Sequence, residues 1–203
     1  MAGPTAAFWQ TRFEEGSTPW DRGRASPQLE RWLDEKAFSS GASILVPGCG
    51  SGYEVAALAA AGMSVTGIDY AKAAVERTQE RLAAMGAHAQ VVQADVLQWA
   101  PEGPVAAVYE QTCLCALHPD HWTAYSAQLH AWLRPGGNLF ALFMQLPRPT
   151  SDQGFVVGPP YHCDINAMRA LFPGSRWEWP KPPYERVSHP NGAAELAVVL
   201  KRI

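Results

Sequence analysis

Short apolar runs alternate with longer amphipathic segments along most of this 203-residue chain. The runs are rich in β-branched and other apolar residues, and they predict five strands, over 44–47, 64–69, 88–93, 105–110 and 139–144. Helical patterns lie between them, over 53–61, 71–85 and 120–133. Strands that alternate with helices predict an α/β fold, with a parallel sheet covered on both faces.

The pattern changes in the last third of the chain. The turn sequence Arg134-Pro135-Gly136-Gly137 precedes the fifth strand, and Pro and Gly are frequent over 147–160. A helix is predicted over 164–172, and the strands over 176–179 and 195–201 are predicted to form a hairpin at the sheet edge. The sequence thus predicts a single domain over 1–203, with N-terminal helices in 1–40 and the α/β core in 41–203.

Composition narrows the class of ligand. With 47% hydrophobic residues, 17% charged residues and a net charge of −3, the chain suits a sizeable core. This charge argues against a nucleic-acid or anionic-membrane binder and favours a small-molecule partner. Residues 1–7 lack the basic and apolar segments of a secretory signal, and no later run has the length of a membrane span, so we expect a cytoplasmic protein.

The four cysteines lie at 49, 113, 115 and 163. They show no repeated spacing, and a chain of this size needs no disulfides, so reduced thiols are expected. Cys113 and Cys115, with His118 and His121 close behind, offer a zinc site as an alternative. Tetrahedral zinc sites usually draw on C-x-x-C pairs, and we therefore expect no metal.

Three glycines, Gly48, Gly50 and Gly52, occupy the turn between the first strand and the first core helix. Glycine there permits positive φ and lets the backbone approach a ligand near the helix N-terminus. A dinucleotide loop needs G-x-x-G spacing, but Tyr53 stands at its third-glycine position. The G-x-G-x-G spacing instead resembles motif I of class I methyltransferases, which bind S-adenosylmethionine; an ordinary βα turn is the alternative.

Acidic residues follow the next two strands, where an open α/β sheet binds its ligand. Asp69 could accept hydrogen bonds from both ribose hydroxyls, or it could cap the helix that follows. Asp95 and Val96 could contact the adenine amino group and ring, although a solvated loop is the alternative for Asp95.

Glu110 and Gln111 end the fourth strand and are the polar pair predicted nearest the reacting methyl group. Glu110 could act as an acid or base, or it could hold the cofactor's amino group or a neighbouring backbone segment. The order of strands and their terminal residues resembles a class I methyltransferase from one end to the other.

Four segments narrow the resemblance, namely the stretch from Phe8 to Gly23 with its Thr18-Pro19-Trp20-Asp21 element, Val46-Pro47-Gly48-Cys49-Gly50, Leu114-Cys115-Ala116-Leu117 and Gly158-Pro159-Pro160-Tyr161. Together they resemble the thiopurine methyltransferase family, with the plant halide and thiol methyltransferases as the nearest branch. The resemblance implies a Rossmann-like fold with a mostly parallel seven-stranded sheet, an antiparallel C-terminal strand and an N-terminal helical lid.

The resemblance also implies a set of site residues. Cofactor contacts would come from Trp9, Phe13, Trp20, Gly48, Gly50, Asp69, Tyr70, Asp95, Val96 and Gln111. Substrate contacts would come from Glu110, Cys115 and Tyr161, and no catalytic residue is assigned. Aromatic rings suit a weakly hydrated sulfonium cation, although Trp9 and Phe13 could equally be the buried stripe of a helix. Gln111 departs from the family, which often has Tyr or Arg there.

These features predict an S-adenosylmethionine-dependent methyltransferase that acts on a small soft nucleophile, a thiol or a related halide or chalcogen. A thiol is partly ionised near neutral pH and a halide needs no deprotonation, so no strong base is required. The alternative is O- or N-methylation of a small aromatic metabolite, with Glu110, His118 or His162 as base. A nicotinamide oxidoreductase and a non-catalytic sensor are disfavoured; a monomer or weak homo-oligomer is expected.

Overall fold

The computed structural model describes residues 3–148 and 156–203. The helices are α1 (Ala6–Glu14), α2 (Pro27–Asp34), α3 (Tyr53–Ala60), α4 (Lys72–Met85), α5 (Cys113–Ala116), α6 (Trp122–Trp132) and α7 (Ile165–Leu171), with a 3₁₀ turn over Pro119–His121. The strands are β1 (Ser43–Pro47), β2 (Ser64–Asp69), β3 (Gln90–Gln93), β4 (Val105–Gln111), β5 (Leu133–Gln145), β6 (Trp177–Glu178), β7 (Glu185–Ser188) and β8 (Ala194–Arg202).

One mixed sheet carries the order β3-β2-β1-β4-β5-β8-β6, and β7 also pairs with β8. The first five of these strands are mutually parallel, whereas β8 is antiparallel to its neighbours. The predicted fold, a mostly parallel sheet with an antiparallel C-terminal strand, is therefore confirmed. The chain adds β2 and β3 on one side of β1 and then crosses back, so that β4 pairs with the other side of β1. The carboxyl ends of β1 and β4 therefore lie side by side.

Strand boundaries differ from the predictions in three places. β3 begins at Gln90 rather than His88. β5 begins at Leu133, and its register with β4 shifts before Asn138, so the predicted turn over 134–137 is a bulge within the strand. β6 pairs with β8 as predicted, but β7 forms inside the proline-rich segment and pairs along the same edge of β8. Within the described residues, eight strands thus fill seven positions in the sheet, because β6 and β7 share one edge of β8.

Side chains alternate between two buried clusters, one on each face of the sheet. Leu45 and Val108 point to the face covered by α6 and α7, where Leu129 is fully buried. Ile44 and Tyr109 point to the opposite face, which α2 and α3 cover. This alternation has the period of two that a strand imposes, and burial on both faces explains the continuous apolar runs in the sequence.

Helix α1 lies apart from these two clusters and packs on α4. Its N-cap Thr5 accepts a hydrogen bond from the amide of Phe8. Gln10 accepts one from the amide of Ala73, and the Arg77 guanidinium donates to the carbonyl of Phe13. These bonds hold α1 beside the start of α4. No helix within residues 3–148 and 156–203 has both the length and the apolar character needed to cross a bilayer.

Candidate active site

A cleft follows the carboxyl edge of the sheet, with about 1170 Å³ of empty space when the part open to solvent is included. Its walls follow the strand order, from the residues after β3 at one extreme to the loop between β7 and β8 at the other. We call Gly48, Gly50, Asp69, Asp95 and Val96 the glycine-loop end. We call Cys115, Ala116, Leu117, Met144, Pro159, Pro160, His189 and Asn191 the β7–β8 end.

The glycine loop depends on backbone conformations that other residues rarely adopt. Gly48, Gly50 and Gly52 have φ of +61°, +54° and +74°. A Cβ at Gly48 would lie 3.0 Å from the Cβ of Cys113, and one at Gly52 would lie 2.6 Å from the side chain of Thr78. These contacts explain why glycine stands at both positions. The Thr78 hydroxyl also donates to the carbonyl of Gly50 at 3.0 Å, which fixes the loop on α4.

Asp69 joins the loop to the end of β2. Its Oδ2 accepts from the amide of Gly50 at 3.0 Å, and its Oδ1 accepts from the amide of Ala71 at 2.9 Å, just before α4. Burial raises the pKa of this carboxyl to about 6, while the two amides oppose the shift. Asp69 therefore lines the cleft and fixes the turn that leads into α4, although the N-cap of this helix is Ala71 and has no side-chain cap bond. The ribose contact stays a prediction.

Asp95 and Val96 line the cleft beyond Asp69. The Oδ1 of Asp95 accepts from the amide of Leu97 at 2.9 Å, and Val96 is buried. Tyr70 also lines the cleft, and its hydroxyl donates to the carbonyl of Pro4 at 3.2 Å. This bond ties the N-terminal segment to the loop after β2.

Four aromatic residues of the described N-terminal segment line the same cleft, namely Phe8, Trp9, Phe13 and Trp20. Trp9 and Phe13 project from α1, and Trp20 comes from the loop after it. The ring of Trp20 makes edge contacts with Trp9 and Phe13, at centroid distances of 5.4 and 5.9 Å. Phe13 lies beside Gly50, where an added Cβ would sit 3.6 Å from its ring. Aromatic surface therefore faces the glycine loop across the cleft.

Glu110 and Gln111 are not among the described residues that line the cleft. Glu110 is buried beneath α5 and accepts from the amide of Leu114 at 2.7 Å. Desolvation raises its pKa to about 7, and the negative Glu195 adds to the shift. Gln111 donates to both oxygens of Glu195 at 3.1 and 3.0 Å and borders a smaller polar pocket behind the glycine loop.

Cys115 and Tyr161 meet below the other end of the cleft. Cys115 lines it, and the amide of Tyr161 donates to the carbonyl of Cys115 at 2.7 Å. The Tyr161 ring packs edge-on against His118, and the cleft wall is formed instead by Pro159 and Pro160. Burial raises the pKa of the Cys115 thiol well above its usual value. Within the described residues, no three or more His, Cys, Asp or Glu side chains are arranged to hold a metal ion.

Sequence reasoning missed two groups near the cleft. His189 and Asn191 line its β7–β8 end, although no motif marks them. Arg22 forms an ion pair with Glu195 at 2.9 Å, and the exposed fractions of these side chains are 13% and 0%. This pair joins the segment after α1 to β8 across 173 residues of sequence. The one sequence signal for this pair was the position of Glu195, a charged residue within an apolar strand pattern.

A sequence model described as Thiopurine S-methyltransferase (TPMT) matches residues 4–199. The chain belongs to the thiopurine S-methyltransferase family. The predicted resemblance is thereby confirmed, and with it the assignment of the chain as an S-adenosylmethionine-dependent methyltransferase. Membership of this family identifies the ligand. The glycine spacing alone could not do so, because three glycines in a βα turn occur with many ligands or with none.

Individual relatives agree with this placement. Probable thiol methyltransferase 2 of Arabidopsis thaliana is 26% identical over 98% of this chain and 79% of its own length. Thiocyanate methyltransferase 1 of the same plant is 31% identical over 80% of this chain and 70% of its own length. The crystal structure of Burkholderia thailandensis 1,6-didemethyltoxoflavin-N1-methyltransferase, with S-adenosylhomocysteine bound, superposes with a TM-score of 0.77 at 19% identity, covering 97% of this chain and 86% of that one. It shows a shared fold.

The cleft fits S-adenosylmethionine on its own geometry. The left-handed glycines bring bare backbone to the cleft, two carboxylates line it beyond them, and aromatic rings face the loop. A vicinal diol needs acceptors such as Asp69, and a sulfonium suits aromatic surface such as Trp9. The residues at the glycine-loop end, together with the aromatic rings of the N-terminal segment, therefore suit the chemistry of this donor, and which residue holds which group stays a prediction.

Proposed function

We propose that the protein transfers the methyl group of S-adenosylmethionine to a small soft nucleophile, a thiol or a related halide or chalcogen anion. The observation that carries this proposal is the uncharged character of the β7–β8 end. Its described lining consists of apolar residues, the thiol of Cys115, the imidazole of His189 and the amide of Asn191. The one Lys or Arg side chain among the described residues that line the cleft is Arg12 of α1, which donates to the Ser17 hydroxyl. A strongly hydrated or multiply charged acceptor would therefore lose its water at the β7–β8 end with little countercharge in return.

The proposed donor site uses the glycine-loop end. We assign the adenine to Asp95 and Val96, the ribose to Asp69, and the methionyl part to the glycine loop under the aromatic residues of α1. In this proposal α1 acts as a lid, held on α4 by the bond from Arg77 to the carbonyl of Phe13. Such a cover keeps water from the reacting groups.

In the proposed mechanism the bound donor supplies an electrophilic methyl group on a sulfonium. The chain positions the acceptor in line with that group at the β7–β8 end and excludes water, so that opposite charges neutralise in a dry site. A lone pair of the acceptor forms the new bond to carbon as the sulfonium–carbon bond breaks. A thiolate or a halide needs no protein base for this step.

The position of the candidate bases supports this choice over O- or N-methylation of an aromatic metabolite. Glu110, His118 and His162 were the candidates, and none of them is among the described residues that line the cleft. His189 does line it, but the lone pair of its Nδ1 accepts from the amide of Asn191. An alcohol or ammonium acceptor would have to lose its proton to a group within hydrogen-bond reach. A thiol or halide acceptor has no such requirement.

Purified protein, supplied with S-adenosylmethionine and separately with iodide, hydrosulfide or thiophenol, tests the proposal. We expect methyl iodide, methanethiol or thioanisole, measured by headspace gas chromatography with mass spectrometry. Catechol and aniline in parallel reactions represent the alternative acceptors. Turnover of catechol or aniline alone, or turnover of none of the five, would refute methylation of a soft nucleophile as the activity.

The remaining predictions from the sequence belong to the same proposal. The net charge of −3 supports a small-molecule acceptor over a nucleic acid. A cytoplasmic location, a single domain, and a monomeric or weakly associated state stay predictions. Size-exclusion chromatography with light scattering would measure the last of these.

A further inference from the structure

His189 is a buried histidine at the β7–β8 end of the cleft, and one of its two ring nitrogens has no hydrogen-bond partner among the described residues. It follows β7 directly, and its exposed fraction is 5%. Its Nδ1 accepts a hydrogen bond from the amide of Asn191 at 3.3 Å, which closes a short turn before β8. Because Nδ1 is the acceptor in this bond, the neutral ring carries its proton on Nε2.

That Nε2 is buried and has no hydrogen-bond partner within residues 3–148 and 156–203. A buried donor without a hydrogen-bond partner is destabilising. In folded proteins such a donor usually serves a function or bonds to a water, ion or ligand. The same ring forms part of the cleft wall, beside the region that we assign to the methyl acceptor. An acceptor seated there is therefore a candidate partner for the free donor.

The surroundings of His189 favour the uncharged ring. Burial lowers its pKa to about 4, and the positive Arg22 contributes in the same direction, while the contact with Asn191 opposes it. Arg22 is itself engaged by Glu195. A neutral imidazole donates a hydrogen bond without a full positive charge, which suits a soft anion that reacts through its own lone pairs.

We propose that His189 is a positioning residue that donates a hydrogen bond from Nε2 to the attacking sulfur or halide and orients it toward the methyl group. This inference rests on the proposed function, because it assigns the partner of His189 within that acceptor site. A donor on one side of the nucleophile restricts its approach while leaving another lone pair free to attack. His189 holds no proton that the reaction consumes, so it is neither a general acid nor a general base.

Two substitutions separate this role from a structural one. His189→Asn keeps an oxygen near the position of Nδ1, where it can still accept from the amide of Asn191, but removes the donor at Nε2. His189→Gln places an amide nitrogen near the position of Nε2 and gives up the Nδ1 contact. A purely structural histidine would be better replaced by Asn, and a positioning histidine by Gln.

We expect His189→Asn to lower kcat/KM for thiophenol and for iodide by about tenfold or more, since a hydrogen bond to an anion is lost. His189→Gln should retain most of the activity. Both variants should bind S-adenosylhomocysteine with the parent's dissociation constant in isothermal titration calorimetry, because the glycine-loop end is unchanged.

Parent-like kcat/KM in His189→Asn would overturn the proposal, as would a larger loss in His189→Gln than in His189→Asn. Loss of S-adenosylhomocysteine binding in either variant would also overturn it, since that would show a general disturbance of the cleft. These outcomes are distinct from a failure of the proposed function, in which the parent itself methylates neither thiophenol nor iodide.

Discussion

The two ends of the cleft are built in different ways. The glycine-loop end comes from the ends of three strands that follow one another in the chain, β1 to β3, with Gly48 and Gly50 in left-handed conformations and Gly50 bonded through its amide to Asp69. The β7–β8 end is assembled from segments far apart in sequence, among them Met144 on β5 and His189 after β7. Backbone geometry determines the first end, and side-chain packing determines the second. The second end can therefore change its acceptor while the first keeps its donor.

The strongest test of this comparison removes the ion pair that ties the segment after α1 to the start of β8, which directly follows the β7–β8 end. In Arg22→Met, the fully buried Glu195 keeps only its bonds from Gln111. Losing one partner of a buried pair costs about 4 kcal/mol, so the free energy of unfolding at pH 8 should fall by that amount. Urea denaturation measures it.

A double-mutant cycle with Glu195→Gln supplies the control for Arg22→Met. The double variant should be less destabilised than the sum of the single variants, because neither unpaired charge remains. Additive effects would show that Arg22 and Glu195 do not interact, and that the N-terminal segment is held on the core by other contacts.

Glu110 provides the next test, since it lies under α5 near the β7–β8 end without lining the cleft. Its folded pKa is about 7, above the ordinary 4.5, so between these pH values the folded state binds a proton that the unfolded state releases. The parent is therefore stabilised below pH 4.5 and loses this contribution as pH rises through 7. Glu110→Gln should gain on the order of 3 kcal/mol relative to the parent between pH 4.5 and 8.

The same variant decides what Glu110 does in the reaction. Gln keeps an oxygen that can accept from the amide of Leu114, so α5 should stay in place. We expect thiophenol turnover within about threefold of the parent, which is the scale of a small disturbance of less than 1 kcal/mol. A loss of two or more orders of magnitude, with unchanged S-adenosylhomocysteine affinity, would instead assign Glu110 to proton transfer.

The glycine loop is tested by Gly52→Ala, with Gly62→Ala as its matched control. Both glycines have positive φ, +74° and +85°, but a Cβ at Gly52 would meet Thr78 whereas one at Gly62 would meet open space. Both variants should lose about 1 kcal/mol from backbone strain, and Gly52→Ala should lose about 2 kcal/mol more from the clash. Urea denaturation measures the difference, and equal losses would show that Thr78 moves aside.

The sequence alone predicts the glycine-loop end of the cleft better than the β7–β8 end. The strands and the glycine-loop end were predictable, because apolar periodicity and glycine spacing are local signals. β7 was missed because Glu185 and Arg186 interrupt the apolar alternation within a proline-rich segment. His189 was missed because its place in the cleft depends on how β7 and β8 meet, and no local pattern records that.

The smallest effect is expected from Asp69→Asn, which touches the glycine-loop end alone. Asn can still accept from the amide of Ala71, but its nitrogen would face the amide of Gly50 and offer the ribose one acceptor fewer. S-adenosylhomocysteine affinity at pH 8 should fall about tenfold, the scale of one hydrogen bond to a charged group. Asp34→Asn, at an exposed position with the same change of charge, should bind like the parent.

The pH dependence and the acceptor make Asp69→Asn a test of the comparison itself. The parent carboxyl has a pKa of about 6, so it is mostly protonated at pH 5, and the parent's advantage over Asp69→Asn should shrink there. With the donor saturating, KM for thiophenol should stay at the parent's value, because the β7–β8 end is built from other segments. A KM that rises together with the loss of donor affinity would show that the two ends form one coupled site.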